Sequence, residues 1–279
     1  MESTKEVKVL NQTAKNIAAS VQDPQERNRL WWEKLPMTYE DWEGEKREPE
    51  NLEDFLKVEK RFLEGNPWLK TDFSFDKLAQ KQVLEIGCGS GAASCLFAKK
   101  GAVVTAVDIT EKAVKITKRN AELQGISLKV YQQDAEKLLF DADTFDYVFS
   151  WGVLHHSRDT IQAFREVHRV LKVGGEGLIM VYNKNSFRYY LKGLFWLIAK
   201  GKIFQGYNLV SVQDLYCDGF YHRHFTPNEL RNEMEKVGLK VFKISITHMG
   251  SRALPFVPKR FEEWLKRKYG WLLIAEFRK

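Results

Sequence analysis

Residues 83–92, Val-Leu-Glu-Ile-Gly-Cys-Gly-Ser-Gly-Ala, constrain this chain more than any other stretch. A short apolar run leads into glycines at 87, 89 and 91, and a segment of small residues follows from 92 to 100. This is the pattern of a buried strand, a tight turn and a helix. Glycines at alternate positions let the backbone turn sharply and approach a ligand where any Cβ would collide. The N–H groups opening the helix then face that ligand and favour an anionic or carboxylate-bearing group. Two cofactor classes use such a turn. As G-x-G-x-x-G/A, Gly87, Gly89 and Ala92 form a dinucleotide fingerprint, which has little specificity alone. With Glu85 inside the strand, the turn suits a nucleoside with an amino-acid tail, whose ammonium needs an acidic neighbour.

Downstream, strand and helix patterns alternate, which predicts an α/β fold with a parallel, doubly wound sheet. Residues 102–108 are a near-continuous apolar strand ending in Asp108. An acid at that edge of an open sheet can accept both hydroxyls of a ribose, with Ile109 lying against adenine. A helix over 111–124 stops at Gly125, a good left-handed terminator. The strand at 128–132 leads to Asp134, placed to accept from an adenine amino group, and Ala135, which offers backbone contacts. Residues 144–156 form a buried strand opening into a loop with His155 and His156. Ile161, Phe164, Val167 and Leu171 share one face of a helix that ends at Gly174-Gly175, and a fifth strand runs over 177–183.

The ordered runs VLEIGCGSG, VTAVD, QQDAEKL, FDYVFSWGVLHH and EVHRVLKVGGEGLIMVY resemble the motifs of the class I S-adenosylmethionine-dependent methyltransferases. The likeness is greatest to the small-molecule branch that includes the ubiquinone/menaquinone-type enzymes, and it covers residues 75–183. It implies a Rossmann-like methyltransferase sheet with S-adenosylmethionine as cofactor. It also implies cofactor contacts at Glu85, Gly87, Gly89, Asp108, Ile109, Asp134, Ala135, Ser150 and Trp151, while Gly91 serves the turn. Nothing in these runs supplies the hydride-transfer partners of a dehydrogenase.

The flanks are less typical. Val7, Leu10, Ala14, Ile17 and Val21 recur at helical spacing up to Asp23-Pro24, and a dense aromatic cluster follows at 30–42. Phe55, Val58, Glu59, Phe62 and Leu63 mark a second helix. Residues 1–74 thus read as a helical cap or flap on a methyltransferase domain at 75–279, with Trp32 and Tyr39 as candidates to close over the bound molecules. Residues 185–223 read as an inserted lid. Within it, the apolar run 187–200 is broken by Lys192 and is too short and charged to span a bilayer. It either packs over the cavity or lies on a membrane surface with its lysines snorkelling outward. A helix starting at Thr226-Pro227, a strand over 239–248, a basic helix over 258–269 with a solvated face, and a strand over 271–277 complete the chain.

The chemistry implied is an in-line displacement at the methyl carbon, in which the protein aligns donor and nucleophile and excludes water. A hydroxyl nucleophile benefits from a general base, and His155 and His156 are the candidates. Tyr182, Asn183, His222 and Arg223 are candidates to line the acceptor cavity, Arg223 by pairing with a carboxylate or phosphate if it turns inward. Aromatics make up 13% of residues, with eight tryptophans, a level that suits an apolar acceptor or partner surface. The net charge of +7 is spread along the chain, so it permits nucleic-acid binding without indicating it. Ser150-Trp151-Gly152-Val153 stands where base-amino methyltransferases carry an N-P-P-Y-type tetrapeptide. Three cysteines with no C-x-x-C pair argue against a disulfide framework or a zinc site, and the polar N-terminus suggests a reducing, cytoplasmic setting. The expectation is a soluble methyltransferase acting on the oxygen or nitrogen of a small, partly apolar molecule. The alternatives are an RNA or protein methyltransferase, or a cofactor-binding scaffold without turnover.

Overall fold

The computed structural model describes residues 21–34, 49–215, 217, 221–248 and 258–279. The apolar runs predicted as strands line up in one eight-stranded sheet. Its order is β3 (Lys129–Gln132), β2 (Val103–Asp108), β1 (Gln82–Ile86), β4 (Phe145–Trp151), β5 (Leu171–Asn183), β8 (Leu272–Arg278) and β7 (Lys240–Thr247). The first five are parallel, and β8 lies antiparallel between β5 and β7. A two-residue strand, β6 (His224–Phe225), pairs with the end of β5 at Tyr182 and Asn183.

Side chains alternate across a strand, so these runs feed two cores at once. Leu84, Ile86, Val148, Ile179 and Val181 point to one face, where α6 (Thr160–Val170) and α7 (Pro227–Lys236) cover them. Val83, Tyr147, Phe149, Leu178 and Met180 point to the other, under α2 (Leu52–Gly65), α3 (Pro67–Thr71) and α4 (Ala92–Lys99). Each fully buried Leu or Phe contributes roughly 1.5–3 kcal/mol, so both layers of helices are held by the sheet rather than by their own propensity.

Two elements differ from the sequence expectation. The helix behind the His-His loop ends at Val170 rather than at the glycine pair. Leu171 already pairs with Phe145, and Gly174 and Gly175 exchange backbone bonds with Lys279, so this stretch belongs to the sheet. The tryptophan cluster at 31–32 sits on a helix, α1 (Pro24–Lys34), which starts at a proline, where no N–H is missed. The helical pattern at 7–17 and Tyr39 lie outside the described residues.

Because β2 lies on one side of β1 and β4 on the other, a crevice opens at their C-terminal ends. There α5 (Glu111–Leu123) braces the glycine turn: Asn120 Nδ2 donates to Ser90 O at 2.9 Å, and Thr117 Oγ1 donates to Gly89 O at 3.1 Å.

Candidate active site

A cavity of about 270 Å³ fills this crevice. At its base, Gly87 has φ 81°, and a Cβ there would lie 2.1 Å from a methyl carbon of Val153, so only glycine fits. Gly91 has φ 78° and begins α4, and a Cβ would meet Thr117 at 2.9 Å. It shapes the turn.

Three strand ends deliver acids to the cavity wall. Glu85 is buried, accepts a bond from Ser94 Oγ, and is pushed up to about 8 by desolvation. Asp108 accepts from Gly89 N at 3.1 Å and from Thr110 N at 3.0 Å; burial raises its pKa, and those bonds oppose the rise. Asp134 receives the Gln25 side-chain amide at 2.9 Å on both oxygens and Glu136 N at 2.9 Å. Gly89, Ile109, Ala135 and Trp151 also line the cavity. Ser150 does not. Its hydroxyl donates to Ile86 O at 3.0 Å and ties β4 to β1 within the sheet.

The opposite end of the cavity is aromatic. Trp32, Phe62, Trp151, Tyr182 and Trp271 line it, with Arg188, His156 and His248 as its polar groups. Helix α1 runs across the cavity: Asn28 Nδ2 donates to His156 O at 2.9 Å, and Glu33 accepts from the first N–H groups of α5, just beyond Asp108. Trp32 meets the His156 ring edge-on at 5.1 Å.

The two loop histidines have different surroundings. His156 Nδ1 lies 2.7 Å from Tyr221 O; a carbonyl only accepts, so Nδ1 carries the proton and Nε2 is left as an acceptor. Burial pushes this ring down to about 3, so it is neutral at physiological pH. His155 is not among the lining residues. Its ring is fully buried with no partner on either nitrogen, and it packs 4.0 Å from Tyr182 and 4.1 Å from His156.

Three further residues expected at the acceptor end lie elsewhere. Asn183 is buried and donates to Gly270 O at 2.7 Å, fixing the entry to β8. Arg223 turns outward, 3.4 Å from Glu233 and stacked on Phe225. His222 lies 3.4 Å from Asp214 and outside the lining. The corresponding cation at the cavity is Arg188, over the Trp271 ring at 4.6 Å.

Gln25, Asn28, Arg188, His248 and Trp271 carry no local sequence signal for the site, and the fold brings them together from separate segments. Thr117 and Asn120 were not expected either. Two buried polar residues three apart on the inner face of an amphipathic helix were the available signal.

No group of three or more His, Cys, Asp or Glu side chains among the described residues is arranged to hold a metal ion. The site does fit an adenosyl sulfonium. No Cβ fits at Gly87 in the turn beside the cavity, and the buried acids Glu85 and Asp108 offer acceptors of the kind an ammonium and ribose hydroxyls require.

Comparison with known proteins agrees. The family described as a methyltransferase domain matches residues 84–179. A ubiquinone biosynthesis O-methyltransferase of Coxiella burnetii is 32% identical over 171 residues, which is 61% of this chain and 68% of that protein. Another, from Pseudomonas syringae, is 34% identical over 113 residues, covering 40% of this chain and 49% of the relative. The crystal structure of an S-adenosylmethionine-dependent methyltransferase from Mesorhizobium loti superposes with a TM-score of 0.54 at 20% identity, covering 76% of this chain and 96% of that one. That likeness speaks for the fold alone. With the glycine turn, the acids at successive strand ends and the similarity in sequence all in agreement, the chain belongs to the class I S-adenosylmethionine-dependent methyltransferases.

Proposed function

We propose that this enzyme methylates a hydroxyl oxygen of a small, partly apolar, planar acceptor, with His156 Nε2 accepting a hydrogen bond from that hydroxyl and orienting it. S-adenosylmethionine, when bound, supplies a methyl group activated by a sulfonium sulfur. In this reading Asp108 accepts from the ribose hydroxyls, Ile109 and Ala135 flank the adenine, and Asp134 accepts from its amino group. Glu85 and the turn amides serve the amino-acid end. Since Gln25 already holds both oxygens of Asp134, the position of α1 and the seating of the base are coupled. Helix α1 acts as the lid that excludes water, and Trp32 is its inward face.

The observation that carries the choice of oxygen is the state of His156. Its Nδ1 proton is committed to Tyr221 O, so Nε2 is left to accept a hydrogen bond from a hydroxyl at the aromatic end of the cavity. A hydroxyl becomes a good nucleophile only as its proton leaves, whereas an amine arrives with a free lone pair and needs no such group. The relatives' designation as O-methyltransferases supports the same choice. Three cysteines without a disulfide suit the reducing, cytoplasmic setting expected for such an enzyme.

The test compares a phenol with an aromatic amine of the same outline. His156→Ala is expected to slow phenol methylation by about tenfold while leaving amine methylation and cofactor affinity near wild type. Undiminished phenol turnover in the variant removes His156 as the group that orients the hydroxyl. A wild-type enzyme that methylates only the amine removes the choice of oxygen.

A further inference from the structure

Among the described residues, Arg188 is the sole lysine or arginine on the cavity wall. Its setting differs from that of the cations around it. Arg223 is answered by Glu233 at 3.4 Å and Lys184 by Glu229 at 3.8 Å, whereas Arg188 pairs with no carboxylate among the described residues. Its guanidinium lies instead over the Trp271 ring at 4.6 Å. A ring face attracts a cation without occupying the N–H groups at the guanidinium edge, and those groups form a fork that matches the two oxygens of one carboxylate.

Both chain neighbours of Arg188 are anchored. Phe187 stacks on Tyr269, the last residue of α8 (Lys259–Tyr269), at 4.6 Å. Tyr189 is buried, its N–H donates to Ser186 Oγ at 3.1 Å, and its carbonyl accepts from Gln213 Nε2 at 3.2 Å. Arg188 itself is exposed and also lines the cavity, which places it at the mouth. A carboxylate met there keeps part of its hydration, so desolvation does not cancel the pairing. An aromatic wall connects this cation with His156. The His156 ring meets Tyr182 edge-on at 5.5 Å, Tyr182 lies 4.4 Å from Trp271, and Trp271 carries Arg188. A planar acceptor lying along Tyr182 and Trp271, with its hydroxyl at His156 Nε2, brings its opposite end to Arg188. The cofactor's own carboxylate is answered by the turn amides in the reading above, so the anion that Arg188 awaits belongs to the acceptor. His248, also on the wall, is held below the usual histidine range by burial and then by the Arg188 charge, so it adds no second cation. A single guanidinium suits the one charge of a carboxylate better than the nearly doubled charge of a phosphate monoester.

We infer that the acceptor carries a carboxylate at the end opposite its reactive hydroxyl, and that Arg188 is the residue that selects it. This rests on the proposed O-methylation for the placing of the hydroxyl, and it adds the class of acceptor: a planar hydroxy acid with an apolar body.

The experiment is calorimetry of acceptor binding to the full chain saturated with S-adenosylhomocysteine, which needs no turnover. The probes are 4-hydroxycinnamate and its primary amide, which has the same outline without the charge. The wild-type complex is expected to bind the acid at least roughly tenfold more tightly than the amide. Arg188→Gln is expected to weaken the acid to the level of the amide. Arg188→Lys, which keeps the charge and loses the fork, is expected to restore part of the difference. Affinity for S-adenosylhomocysteine and the circular dichroism spectrum are expected to stay at wild type in both variants, which separates lost selection from lost fold. Equal binding of acid and amide by the wild type overturns the inference, as does a preference that survives in Arg188→Gln. So does a variant weakened toward S-adenosylhomocysteine, which would give the cation to the cofactor's carboxylate. Tighter binding of the phosphonate of the same outline than of the acid overturns the choice of carboxylate. Selection of the acid without its methylation would remove the reading of O-methylation and leave Arg188 as the anchor of the anion. Methylation of phenols without regard to their charge would do the reverse.

Discussion

The two ends of the cavity are assembled in different ways. At the cofactor end each strand delivers its ligand-facing residues within three positions of its own terminus: Glu85 and Gly87 from β1, Asp108 and Ile109 from β2, Asp134 and Ala135 after β3. At the acceptor end the wall is drawn from α1, the end of α2, the segment after β5, the end of β7 and the start of β8. The first end depends on backbone geometry that few residues satisfy. The second depends on side chains that can be exchanged while the sheet stays as it is. A fold of this kind can keep its donor and vary its acceptor, because the two sets of residues overlap little.

Breaking the cofactor end has the largest expected effect. Gly87→Ala places a Cβ into Val153 at a left-handed φ, a strain and overpacking cost of about 2–6 kcal/mol. Calorimetry is expected to show cofactor affinity reduced by at least roughly thirtyfold; wild-type affinity would detach the turn from the ligand.

The two ends also titrate with opposite signs. His155, His156 and His224, all at the acceptor side, are held below the usual histidine range by burial, His156 to about 3 and His224 to about 2. As pH falls below about 6.5 they protonate in the unfolded chain and not in the folded one, so stability is lost with acidification. Glu85 is raised to about 8, so its contribution is full below the ordinary carboxylate range and is lost as pH rises toward 8. Between pH 6.5 and 5 the histidines outnumber the acid, and the net loss is roughly 2–4 kcal/mol. Urea melts at the two pH values check this, and His224→Phe is expected to shrink the difference. A flat profile would mean these rings are charged in the fold.

Asp108→Asn is expected to weaken cofactor binding by about 1–3 kcal/mol through the loss of charge-assisted bonds, with little effect on the acceptor KM. Trp271→Ala provides the contrast: an acceptor KM raised about tenfold, with cofactor affinity within a factor of about three. If either substitution moved both quantities equally, the division of the cavity would fail.

That division also decides what was legible in the sequence. A strand, a glycine turn and an acid at the next strand end are local, so residues 83–135 disclosed the parallel sheet, the crevice and the cofactor side. The acceptor side is set by contacts between segments far apart in the chain, such as Asn28 with His156, 128 residues on. No local pattern announces these. Arg223 and Arg188 flank the same insertion with the same chemistry, and only the fold decides which one turns inward. The Gly174-Gly175 pair looked like a helix terminator because its partner, Lys279, lies at the far end of the chain.

The most direct test of the account is a crystal structure with S-adenosylhomocysteine. Ribose hydroxyls are expected on Asp108, and the sulfur is expected to face the space bounded by His156, Tyr182 and Trp271. A ribose held elsewhere, or a sulfur turned away from that space, would contradict it.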